Sequence, residues 1–165
     1  MAPRRAGILF AIGASVWSAV CTAGDAQPAA ALPEALRIHL QNEQFQIVTS
    51  VRGLPLGVRD ALQQLFGSQS LDIAEPHADF QSTGVAVNSG LPIRRLVAAG
   101  CAIDHCLVYY ERGGVPPTWH LALFHWTPDA TRFEWGGAAP GGLSAIDNVR
   151  TAVLSGKIKG GQSVW

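Results

Sequence analysis

The stretch that decides the fold runs from residue 94 to residue 135: Arg94-Arg-Leu-Val-Ala-Ala-Gly-Cys101, Cys106-Leu-Val-Tyr-Tyr-Glu-Arg112, Trp119-His-Leu-Ala-Leu-Phe-His-Trp-Thr127 and Thr131-Arg-Phe-Glu-Trp135. Each block has strand composition, and the intervening Ala102–His105 and Gly113–Thr118 runs have turn composition. Sequential strands joined by such short turns pair antiparallel, because parallel neighbours need a crossover of a dozen or more residues. The second and third blocks are apolar on both alternations, which predicts a sheet covered on both faces. In the fourth block Phe133 and Trp135 alternate with Arg132 and Glu134.

Toward the N-terminus, Pro55 opens a helical pattern. Val58, Ala61, Leu62 and Leu65 fall at i, i+3, i+4 and i+7, and Gly67 supplies the C-terminal stop, predicting a helix over 55–66. Leu36, Ile38 and Leu40 alternate with polar residues, as do Phe45, Ile47, Thr49 and Val51, and both runs are expected to be short strands. Residues 68–90 read as a long loop, of a length that is often functional. Beyond the meander, 136–142 is a Gly/Ala/Pro loop. Ser144 then caps a helix over 144–155 with the stripe Leu143, Ile146, Val149 and Val153. The expected fold class is α+β: an antiparallel β-meander of four or more strands packed with two helices. Its core should set Val58, Leu62, Leu65, Ile146, Val149 and Val153 against Leu107, Tyr109, Leu121 and Leu123.

The first 26 residues have the order of a secretory signal peptide. Arg4 and Arg5 are followed by the apolar run Ala6–Val20 and by small residues, with cleavage expected after Ala26 or Ala23. That run is shorter than a membrane span, and no later one is long enough, so no membrane span is expected. Three segments result: a signal peptide over 1–26, a single α+β domain over 27–156 and a flexible tail over 157–165. An exported chain is expected in the periplasm or outside the cell, where disulfides persist. The 12 basic and 12 acidic residues balance, with no basic cluster, so the stripe that nucleic-acid binding requires is missing. A charged fraction of 15% beside a hydrophobic fraction of 48% describes a packed domain.

The segment Cys106-Leu-Val-Tyr-Tyr-Glu-Arg-Gly-Gly114, followed by Trp119-His-Leu-Ala-Leu-Phe124, resembles a pattern in small exported bacterial proteins of uncharacterised function. With the helix at Pro55, the likeness covers about half of the chain. It implies the order helix then meander, and brings no activity, cofactor or catalytic residue.

Chemistry has few candidates. Once the leader has removed Cys21, Cys101 and Cys106 are an even pair at the base of a hairpin, and a disulfide is expected. Four intervening residues do not suit a redox motif. His120 and His125 lie five apart on one strand and project to opposite faces, so they do not share an ion. Asp104 and His105 share a turn and would form a site only with residues from elsewhere. No metal site and no cofactor is therefore expected from spacing alone. Gly142-Leu-Ser144-Ala-Ile146 lacks the closing glycine of a nucleophile elbow. Tyr109, Tyr110, Trp119, Phe124, Trp126, Phe133 and Trp135 are more aromatics than one face can hold, and most are expected in the core. The function expected is an exported binding or accessory module, engaging a protein or envelope partner through a sheet face or the 68–90 loop. The alternative is a small exported hydrolase using Glu111, His120 or His125 as acid–base groups.

Overall fold

The computed structural model describes residues 30–83, 90–161 and 165. The expected signal peptide, with Cys21, and part of the long loop lie outside the described residues. Six strands form one sheet in the order β1-β2-β3-β4-β5-β6, each antiparallel to the next. They are β1 (Gln46–Val48), β2 (Arg94–Cys101), β3 (His105–Arg112), β4 (Thr118–Trp126), β5 (Thr131–Ala139) and β6 (Lys159–Gly160). Three helices accompany them: α1 (Glu34–Asn42), α2 (Leu56–Phe66) and α3 (Ile146–Leu154). The fold is α+β with a meander sheet, as the central stretch predicts.

Both faces of the sheet are covered, and the alternation of β3 and β4 divides the core in two. Leu107, Tyr109, Leu121 and Leu123 lie with Leu36 and Leu40 of α1 and with Ile146, Val149 and Val153 of α3. Val108, Tyr110, Ala122 and Phe124 lie with Val58 and Leu62 of α2. We call these the α1/α3 face and the α2 face. The expected core was therefore half right: the stripe of α3 meets the predicted partners, whereas that of α2 packs on the opposite face. Of that stripe Val58 and Leu62 are fully buried. Tyr109, Tyr110 and Phe124 have no exposed surface and Trp135 almost none, so most of the aromatic surplus is core.

Several expectations need correction. Residues 34–42 are a helix. The Leu36/Leu40 spacing is i, i+4, so both are buried on one stripe while Ile38 is 49% exposed. The Phe45–Val51 strand shortens to β1, and Val51–Gly53 turns as a 3-10 helix whose first amide group is preceded by the capping Ser50. The last helix begins at Ile146 with Ala145 at its N-cap, so Ser144 does not cap it. β5 continues through residues expected to be loop. Gly136 and Gly137 permit this, since a Cβ on either would stand within 2.3 Å of the Leu121 or Lys159 carbonyl oxygen. The tail expected to be flexible carries a buried Ile158 and pairs as β6 with β5.

Candidate functional site

Two polar clusters are built into the sheet, one on each face and near opposite ends of β3. The first forms where the β2–β3 hairpin meets the end of α1. The Cys101 and Cys106 sulfurs are 2.05 Å apart, a disulfide, and their Cα atoms are 4.1 Å apart across the pair. The bond clamps the hairpin that presents Asp104 and His105. His105 lies on the α1/α3 face, directly opposite His125 of β4. Its ring centroid is 5.5 Å from that of His125 and 4.6 Å from that of His39 on α1.

Carboxylates bracket the His105 ring. Nδ1 is 2.9 Å from Oε1 of Glu43, the residue that ends α1, and 3.3 Å from Oδ1 of Asp104. The same Glu43 oxygen is 2.7 Å from Nδ1 of His39. Arg150 of α3 donates to the Glu43 carbonyl at 3.1 Å and so holds the end of α1 in place. On the other side of the ring, Nε2 is 3.4 Å from Oε2 of Glu134. Glu134 is placed by a bulge. Leu123 pairs with Trp135 while Phe124 pairs with Phe133, so Glu134 has no partner on β4. A bulge re-aims the side chain at its extra residue. Phe133 consequently packs on Phe124 on the α2 face, and Trp135 joins the α1/α3 face. Arg132 donates to the other Glu134 oxygen at 2.7 Å.

His105 is buried, and Oε2 of Glu43 and of Glu134 are both buried without a hydrogen-bond partner. One ligand atom each from His105, His125 and Glu134 lies within 4.8 Å of the others, and the same holds for His39, Glu43, Asp104 and His105. The two groups share only His105. A metal–ligand bond of ~2.0–2.2 Å puts tetrahedral ligand atoms ~3.3–3.5 Å apart, the separation of His105 Nε2 from Glu134 Oε2. The structure thus brings together an outer carboxylate, a histidine and an inner ligand set, the arrangement in which a carboxylate fixes the tautomer of a metal-binding imidazole.

The second cluster lies on the α2 face near the other end of β3. Arg94 of β2 pairs with Arg112 of β3, and Tyr110 of β3 pairs with His120 of β4. Tyr110 and His120 stack at 5.5 Å between centroids. Arg94 donates to Asp72 at 2.5 Å and lies 4.0 Å above the Phe66 ring. Thr118 Oγ1 is 2.9 Å from His120 Nε2. Burial, with Arg112 and then Arg94 adding to it, pushes His120 down to about 4. Burial raises the Tyr110 hydroxyl well above its ordinary value, against the pull of Arg94 and Arg112. Burial also lowers Arg94, with Asp72 opposing.

The three acid–base candidates of the hydrolase alternative are not brought to one place. Glu111 is engaged by Arg95 at 2.6 Å, His120 lies on the α2 face, and His125 faces His105 on the other side of the sheet. Among the described residues no bare sheet face remains for docking. The described part of the 68–90 loop is tied to the sheet as well. Ala74 exchanges main-chain hydrogen bonds with Arg94 and Leu96, and Gly114 donates to Ser82. Sequence reasoning missed His39, Glu43 and Glu134 as companions of His105. The one usable signal was the Asp104-His105 turn between two cysteines.

Comparison with protein-family models, with curated proteins and with solved structures finds no match for this chain. Among the described residues no helix is long and apolar enough to cross a membrane.

Proposed function

We propose that the chain is an exported binding module whose ligand is a divalent transition-metal ion, held by His105, His125 and Glu134 beneath the disulfide-clamped hairpin. The leader-like first 26 residues support export. One observation carries the metal. A carboxylate can only accept, so Glu43 fixes the proton of His105 on Nδ1 and leaves Nε2 as an acceptor. That Nε2 then faces a second acceptor, Glu134 Oε2, across 3.4 Å, and Oε2 is buried with no hydrogen-bond donor. Two lone pairs aimed at each other in a buried place call for a cation between them. Imidazole and carboxylate donors together suit zinc, copper, nickel or iron. Two histidines and one glutamate leave a fourth position for water or a further ligand. The hydrolase alternative gains nothing from the scattered placement of Glu111, His120 and His125.

Calorimetric titration of the metal-stripped protein with Zn2+, and visible spectra on loading with Co2+, test this. One ion should bind per chain. His125→Ala and Glu134→Gln should abolish or strongly weaken binding, and Glu43→Gln should weaken it by ~10–100-fold through the orientation of His105. His77→Ala, on the exposed loop, should change nothing. Absence of saturable binding in the unaltered protein would mean that a proton alone sits between His105 and Glu134, and the proposal would fall. Equal affinity in His125→Ala would also overturn it.

A further inference from the structure

The cluster on the α2 face has unused binding capacity. Arg94 is 3% exposed, His120 4% and Tyr110 not at all. Even so, Arg94 Nε, Arg112 Nε, the Tyr110 hydroxyl and His120 Nδ1 are buried with no hydrogen-bond partner. Orphaned groups of this kind are rare in folded proteins and expensive to maintain, so four in one place ask for a ligand. Two guanidinium groups meet one carboxylate, Asp72, so the cluster carries surplus positive charge.

What occupies the mouth of this cluster is Trp165. Its main-chain oxygen accepts a short hydrogen bond from Arg94. Its ring lies 5.3 Å from the Phe133 ring, edge on, and 6.2 Å from the His120 ring. Gly136 makes room for the ring, since a Cβ there would stand 3.0 Å from the indole Cη2. An aromatic ring and an oxygen acceptor are thus recognised together, the ring by Phe133 and His120 and the oxygen by Arg94.

We propose that Arg94, Tyr110, Arg112, His120 and Phe133 form a binding site for an aromatic carboxylate, and that the chain's own Trp165 occupies this site as a displaceable stand-in. A carboxylate brings two oxygens and a negative charge. It can accept from Arg94 in two places, or from Arg94 and Tyr110 together, where a single main-chain oxygen leaves donors unused. The chemistry is shared by a free aromatic acid and by a peptide ending in an aromatic residue. The site is on the opposite face of the sheet from the metal cluster, so the two proposals stand or fall separately.

Calorimetric titration of the full chain carrying Trp165→Ala tests it, using three probes: N-acetyl-L-tryptophan, indole-3-propionate and N-acetyl-L-tryptophanamide. The two acids should bind saturably, and the neutral amide at least ~10-fold more weakly, as expected when a charge-assisted hydrogen bond is lost. Tighter binding of N-acetyl-L-tryptophan than of indole-3-propionate would identify a peptide terminus as the occupant, and the reverse order a free acid. Adding Tyr110→Phe should weaken both acids and leave the amide unchanged. The unaltered chain gives a second arm that does not depend on the variant folding. N-acetyl-L-tryptophan should shift the amide NMR signals of Tyr110, His120 and Trp165 in one saturable transition, at a higher concentration than the variant requires. Equal binding of acids and amide, or no shift of those three signals in the unaltered chain, would overturn the proposal.

Discussion

His120 should make the stability of this fold fall steeply on mild acidification. Burial, with Arg112 and Arg94 close by, holds its imidazole neutral down to about 4, against an ordinary value of 6.5. Between those values the unfolded chain takes up a proton at this residue and the folded chain does not. Unfolding is then linked to proton uptake, so stability is complete above pH ~6.5 and is lost as pH drops toward ~4. At ~1.4 kcal/mol per pKa unit, the full loss amounts to about 3 kcal/mol. That is a large share of the ~5–15 kcal/mol typical of a domain. Carboxylates lose stabilising contacts over part of the same range, so the comparison must be with a variant. His120→Gln keeps a side chain that can bond Thr118 but does not titrate.

Urea unfolding of both proteins at pH 7 and at pH 4.5 isolates the histidine. With a slope of ~1–3 kcal/mol per molar urea, the unaltered protein should lose ~1–2 M more in midpoint than the variant does. The variant will start from a lower stability, and only the change with pH is compared. A carbon–proton NMR titration of the imidazoles provides an independent reading, in which the His120 signal should stay in its neutral position through pH 5. Equal midpoint losses in the two proteins, or a His120 signal that titrates near 6.5, would refute the account of this face as a buried cationic cluster.

Further outcomes follow from packing and cross-linking. Replacing Cys101 and Cys106 by Ser and Ala should cost ~2 kcal/mol by the loop-entropy model and lower the melting temperature without abolishing folding, read by calorimetry. Gly137→Ala would bring a Cβ to 2.0 Å from the Lys159 carbonyl oxygen, so β6 should detach from β5, seen as faster amide exchange at Gly160. Leu62→Ala, at a fully buried position of α2, should cost ~2–5 kcal/mol in urea unfolding. Val149→Asp, at an equally buried position of α3, should leave no cooperative transition, because that face offers no partner for a charge.

Much of this architecture is legible in the sequence because apolar runs and turn residues report directly on strands and their connections. Residues 94–101 were placed to the residue, and β3 and β4 to within a residue at each end. Helix α2 was placed from its stripe and from Gly67, which adopts the left-handed conformation a helix stop needs. The failures share a cause. Over five or six residues, Leu36-x-Ile-x-Leu40 satisfies both a strand alternation and the i, i+4 spacing of a helix, and only packing against α3 decides between them. The glycines at 136 and 137 look like loop, and are strand because neighbouring main chain comes too close for any side chain. Pairing of β6 depends on the same close approach, so the tail could not be read without it.

The metal cluster shows why site residues are harder to read than elements. Along β5, simple alternation puts Phe133 and Trp135 on one face and Glu134 on the other with Arg132. Alternation has no means of registering an inserted residue. The bulge at Leu123/Phe124 sends Phe133 to the α2 face and Trp135 to the α1/α3 face, and aims Glu134 at His105. The same shift supplies the aromatic edge against which Trp165 packs. A single extra residue in β5 therefore contributes to both sites, one on each face. An irregularity with that double consequence should tolerate loss poorly. Deleting Arg132 would restore an unbroken ladder and a uniform alternation along β5. It should abolish Zn2+ binding at His105 and free Trp165 at once, while far-ultraviolet circular dichroism still reports the sheet. Retention of both properties in a folded deletion variant would show that the bulge is not what positions either site.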